Sequence, residues 1–200
     1  MLRLISLFIL LTPLFCNAQG NLQIQQKVDS LRKTTIIDGN DKTGYQVFDD
    51  LFEEMLQADT INQQMPSIKK VGELLRDEKS RNSHLIKLFF GYQNYISNPQ
   101  AKNNSKFQVD LIEALNMEVN EIYGKLPVIL YIYQAEAYNA DKRYKEAETL
   151  VDNAREIYPN AIPLKVYQAM AKKDESLKQE VIKANPNHWM VQLRLKESKP

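Results

Sequence analysis

Val128-Ile129-Leu130-Tyr131-Ile132-Tyr133-Gln134-Ala135-Glu136-Ala137-Tyr138-Asn139-Ala140 runs into Asp141-Lys142-Arg143 and then into Tyr144-Lys145-Glu146-Ala147-Glu148-Thr149-Leu150-Val151-Asp152-Asn153-Ala154-Arg155-Glu156-Ile157-Tyr158-Pro159. Apolar residues recur here at spacings of three and four, the pattern of helices that bury one face. The polar triplet 141–143 divides the stretch into two helices joined by a turn short enough to fold them back on each other. Small side chains stand at Ala135, Ala147 and Ala154, where two helices approach and a larger residue would push them apart. Tyr131, Tyr138 and Tyr144 are spaced to fill the gaps around that contact and to reach a neighbouring hairpin. Pro159 ends the second helix, because it offers no N–H and its ring clashes with the preceding turn.

This order of aromatic, small and proline positions resembles the tetratricopeptide repeat, a helix–turn–helix unit of 34 residues. Counted from Val128, the resemblance rests on Tyr131, Ala135, Tyr138, Tyr144, Ala147, Val151, Ala154 and Pro159, and on the turn phrase Asp141-Lys142-Arg143-Tyr144-Lys145-Glu146-Ala147. Two positions depart from it: Gln134 stands where the family prefers a large apolar residue, and Lys142 where Gly is frequent. A shorter hairpin follows over 163–171 and 176–184, and 187–197, with Trp189, Val191 and Leu195, reads as a capping helix. The resemblance implies an all-α fold of stacked antiparallel hairpins, a tetratricopeptide-like α-solenoid, with repeats and cap over 128–197. It further implies a concave face, lined by first helices, that takes peptides or partner proteins. In this sequence that face carries Ile129, Ile132, Glu136 and Asn139; packing of Ile129 and Ile132 against the preceding hairpin is the equal alternative. The basic set that clamps a terminal carboxylate in some members is missing, and only Asn139 resembles part of it.

Residues 19–124 continue the helical reading with degenerate repeats at most. Helices are expected over 22–33, 46–58, 61–77 and 107–123, and from Ser83 to the stop at Asn98-Pro99, with Ser83 as a cap. Gly124 follows the last of these where a left-handed cap belongs. Asp38-Gly39-Asn40-Asp41 reads as a turn; Lys42 and Thr43 spoil its faint likeness to a calcium loop. Strand signals are scarce, with six Gly in 200 residues and no sustained alternation.

The first residues set the expected compartment. Arg3 precedes an apolar run over 4–15, and Cys16-Asn17-Ala18 supplies small side chains before Gln19. That is the order of a secretory signal peptide over 1–18, whose apolar run is well short of the ~20 residues that span a bilayer. The ending resembles signal peptides of Bacteroidetes-type Gram-negative bacteria. Cleavage before Gln19 implies an exported, periplasmic or extracellular protein without a transmembrane segment; lipid anchoring through Cys16 is the alternative. Cleavage also removes the only Cys, and with it disulfides and thiolate chemistry. Of 26 Lys and Arg, Arg3 is lost, leaving 25 against 25 Asp and Glu, a balance that argues against nucleic-acid capture.

Catalytic signatures are missing. His84 and His188, the only histidines, read as an exposed or capping residue and as part of the end cap. Neither belongs to a zinc motif, and no Gly-x-Ser-x-Gly elbow or phosphate loop is present. Glu53-Glu54 and the Glu146/Glu148 pair read as solvated faces. No catalytic residue, metal or cofactor is expected, and the leading expectation is a scaffold for a protein or peptide partner in the cell envelope. The alternative is a small-ligand carrier or enzyme with a pocket in the N-terminal helices, where Phe89, Phe90, Tyr92 and Tyr95 cluster.

Overall fold

The computed structural model describes residues 22–60, 65–77, 79–99 and 104–196. The expected signal peptide over 1–18, Cys16 within it, and Glu197 at the end of the expected cap lie outside the described residues. Among the described residues every regular element is helical, and the one strand-like pairing is an isolated bridge between Ile36 and Arg81. The order is α1 (22–32), α2 (Thr43–Phe52) continued by a π-helical turn Glu53–Gln57, α3 (Pro66–Arg76), α4 (Ser83–Ser97) and α5 (Ser105–Tyr123). Then come α6 (Val128–Ala140), α7 (Tyr144–Ile157), α8 (Ile162–Lys172), α9 (Glu175–Ala184) and a closing π-helical segment, Val191–Lys196.

Local chemistry sets the helix ends. The Asn104 side chain caps α5 by accepting from the Phe107 N–H at 3.0 Å, and Gly124 ends it at φ +70. Pro66 opens α3, as the first helical position tolerates. The Glu54 carboxylate accepts from the Ser67 N–H at 3.1 Å and from its hydroxyl at 2.5 Å, so half of the pair expected on a solvated face caps α3 instead. The cap expected at Ser83 is not made. Asn82, buried and left-handed at φ 54, precedes α4, and its side chain bonds Asp38 in the 38–41 turn and the Tyr123 hydroxyl. That turn carries cations: Arg81 pairs with Asp38, and Lys42 Nζ donates to the Gly39 carbonyl at 2.5 Å.

From α3 to α9 each helix packs on the next, and α9 packs on the closing segment. Because α6 and α7 touch across a three-residue turn, they form an antiparallel hairpin, with Ala135, Ala147 and Ala154 buried. Tyr138 is buried too, but Tyr144 is 62% exposed, not a gap filler. It is the first residue of α7. The other long-range feature is α2. It packs on α4 and α6 as well as α3, and its π-helical turn reaches α8. Tyr45, Val47, Phe48, Leu51, Phe52 and Leu56 are all buried along it.

The chain end returns to the same place. The last carbonyls of a helix have no partner within it. Here the Leu56 carbonyl accepts from His188 Nε2 at 3.0 Å, and the Asp59 carbonyl from the Trp189 N–H at 2.9 Å. Gln57 adds a bond from the Ile162 N–H at 3.0 Å. Buried apolar residues from Ile24 to Leu195 form one continuous cluster.

Candidate functional site

The concave-face residues of the sequence reading divide into two pairs. Ile129 and Ile132 are in the core, at 0% and 1% exposure, because α6 is covered by α5, α7 and α2 together. They line no groove. Glu136 and Asn139, further along α6, border an open cleft of about 710 Å³ from α6 across α7 to α8, with Arg194 of the final segment also in its lining.

Glu136 and Tyr167 meet in that cleft: the Tyr167 hydroxyl donates to the Glu136 carboxylate. Burial raises the Glu136 pKa, while the Tyr167 hydrogen bond and the Arg194 charge pull it back. Burial also raises the Tyr167 hydroxyl, and the neighbouring Glu136 raises it further. The walls carry large apolar side chains left open to solvent, Tyr144 at 62% and Met170 at 42%. Lys145 on the first turn of α7 and Lys173 at the end of α8 stand at the rim, with Glu148 one turn from Lys145. A concave surface with exposed apolar walls and a few converging polar groups is the usual form of a binding site.

The aromatic residues expected to hold a pocket in the N-terminal helices pack on one another. Phe48, Phe89, Phe90, Tyr133 and Tyr92 sit with ring centroids 5.3–5.8 Å apart, and Tyr95 lies 4.9 Å from Phe107. Phe89 and Tyr92 are buried. A second cleft, of about 500 Å³, does lie in this half, but between α2 and α3, with Val47 and Leu74 among its lining and the Asp50–Lys70 ion pair, 2.6 Å, at its edge.

His84 is neither exposed nor capping. It is buried in α4, where Nε2 lies 3.2 Å from the Glu118 carboxylate and Nδ1 has no partner, so the proton is assigned to Nε2. Arg32 of α1 grips Glu118 at 2.8 Å and Glu121 at 2.9 Å, joining α1 to α5. Burial, then the charges of Arg32 and Lys87, lower the His84 pKa to about 4. His188, also buried, packs its ring against Trp189. Its Nδ1 accepts from the Met190 N–H at 3.3 Å and Nε2 donates to Leu56, which makes it a structural strut. Among the described residues no group of three or more His, Cys, Asp or Glu is placed to hold a metal ion, and no helix is long and apolar enough to cross a membrane.

Sequence reasoning missed Tyr167, Met170, Lys173 and Arg194. The spacing of the second hairpin placed the first three on or beside a helix but gave no sign of facing Glu136. Compared with protein-family models, curated proteins and solved structures, the chain matches none.

Proposed function

We propose that the protein is an exported helical scaffold, built from tetratricopeptide-like hairpins, that holds a segment of a partner protein in the α6–α8 cleft. The observation that carries this reading is the cleft itself: Tyr144 and Met170 remain open to solvent around the Glu136–Tyr167 pair, in a molecule whose other aromatic clusters are packed. A folded chain leaves apolar groups gathered in a concavity at a cost in free energy, and a partner that covers them recovers it. Tight packing of the alanines between α6 and α7 supports the hairpin part of the reading. The span of α2 across α4 and α6 marks a difference from a stack in which each unit touches only its neighbours.

A photocrosslinking residue at Met170 tests the binding site in cells that make and export the protein. An adduct at 170 that is absent with the crosslinker at Met117, a more exposed position on α5, is the expected result. It should disappear with Tyr144→Ala. Adducts of equal yield at both positions, or none at either, would sink the reading. Export is tested by intact mass: a chain starting at Gln19 is expected, an acylated Cys16 would mean the lipid-anchored alternative, and an uncleaved chain would count against export.

The cleft between α2 and α3 favours a second reading, a small-ligand carrier, since its apolar lining and charged edge would suit an amphipathic molecule. A ligand-induced rise in melting temperature that Leu74→Lys removes would turn the assignment toward it.

A further inference from the structure

We infer that the α6–α8 cleft takes an acidic peptide segment bearing one large apolar side chain, with its carboxylates on Lys145 and Lys173 and the apolar side chain against Tyr144 and Met170. This rests on the peptide-binding reading above and specifies the chemistry of the segment. Three cations border the cleft, Lys145, Lys173 and Arg194, each from a different element. Lys145 and Lys173 are exposed, and among the described residues neither has an ion pair.

The acids on the same surface do not cancel this charge. Glu136 already accepts the Tyr167 hydroxyl, and its burial disfavours the ionised form. Glu148 is half-buried on α7, below Lys145. The accessible charge at the rim is therefore positive, although the whole chain is nearly neutral at +1. Charge of one sign over an apolar concavity selects partners of the opposite sign and rejects like charge. Tyr144 and Met170 add the requirement for an apolar side chain: a large exposed aromatic ring and a flexible thioether chain adapt to a range of shapes.

The test uses the purified chain from Gln19 onward and short peptides with an amino-terminal fluorophore and an amidated end, so that no terminal carboxylate is present. One carries Glu-Phe-Glu between glycines, one Gln-Phe-Gln, one Lys-Phe-Lys, and one Glu-Gly-Glu. Fluorescence polarisation should show the Glu-Phe-Glu peptide binding about tenfold more tightly than the Gln version, as expected for two solvent-exposed ion pairs. The difference should shrink in high salt. Glu-Gly-Glu should bind more weakly still, and the double variant Lys145→Glu, Lys173→Glu should reverse the preference toward the Lys peptide. Both positions are exposed, and circular dichroism checks that the variant keeps its helices. Equal affinity for the Glu and Gln peptides overturns the inference and leaves the peptide-binding reading standing. Tighter binding of the Lys peptide by the wild type overturns it in favour of Glu136 and Glu148 as the selecting charges. If no peptide binds, the inference falls; if the Met170 crosslink is also absent, the peptide-binding reading falls with it.

Discussion

His84 shows how far a residue's role can lie from its sequence neighbourhood. In the chain it stands between Ser83 and Leu85 and looks like a polar opening to α4. In the fold it is enclosed, with the carboxylate of Glu118, 34 residues away, as the partner of its Nε2. Its pKa, lowered to about 4 from an ordinary value near 6.5, ties stability to pH. Between those values the unfolded chain binds a proton that the folded chain does not, so stability falls as pH drops through the window from about 6.5 to about 4. Discounted for solvent screening, the loss attributable to His84 is about 1 to 2 kcal/mol by pH 5. His188 is lowered in the same direction. Urea midpoints at pH 7 and pH 5 check this. In His84→Gln, which can still donate to Glu118 but does not titrate, the decline should be shallower. An unchanged slope would assign the effect elsewhere.

At the scale of the element, the α6–α7 turn is informative. Lys142 adopts φ 63, the left-handed conformation that side chains with a Cβ disfavour. It occupies the position where the tetratricopeptide pattern often has Gly, so the departure noted in the sequence has a backbone cost. Lys142→Gly should therefore stabilise the protein, by about 0.5 to 1 kcal/mol once the larger entropy of the unfolded glycine is set against the relieved strain. A rise in the urea midpoint with unchanged slope is the expected outcome; a fall would mean that the Lys142 side chain contributes more than its backbone costs. Helix positions and the α6–α7 alanine contact were legible because they depend on local spacing. The π-helical turn after α2 and the Glu54 cap of α3 were not, since each depends on where a separate stretch of chain comes to rest.

At the scale of the whole molecule, α2 packs beyond its neighbours in sequence, on α4 and α6. By packing against α6 it joins α5 and α7 in covering the helix on which Ile129 and Ile132 are buried, the core packing that stood in the sequence as the equal alternative to a groove. A charge at either position therefore strikes the core and not a binding surface. Ile129→Glu should cost about 4 kcal/mol or more, through an unpaired buried carboxylate and lost packing. Met170→Glu, on the open wall of the cleft, should leave the melt within about 0.5 kcal/mol of the wild type. Thermal and urea unfolding of the two variants provide the check. Comparable stability in both would mean that α6 is not covered as described.

The sequence by itself determined the helical class, the approximate positions of most helices and the close α6–α7 pairing, because helix periodicity, breakers and small residues act over a few turns of one chain segment. Only the tertiary structure decided that Ile129 and Ile132 are core, that His84 is buried, and that Tyr167, Met170, Lys173 and Arg194 share one cleft with Glu136. Those facts depend on contacts between residues tens of positions apart. Burial belongs to whichever helix arrives to cover a face, and periodicity says that a face is apolar without saying what will cover it.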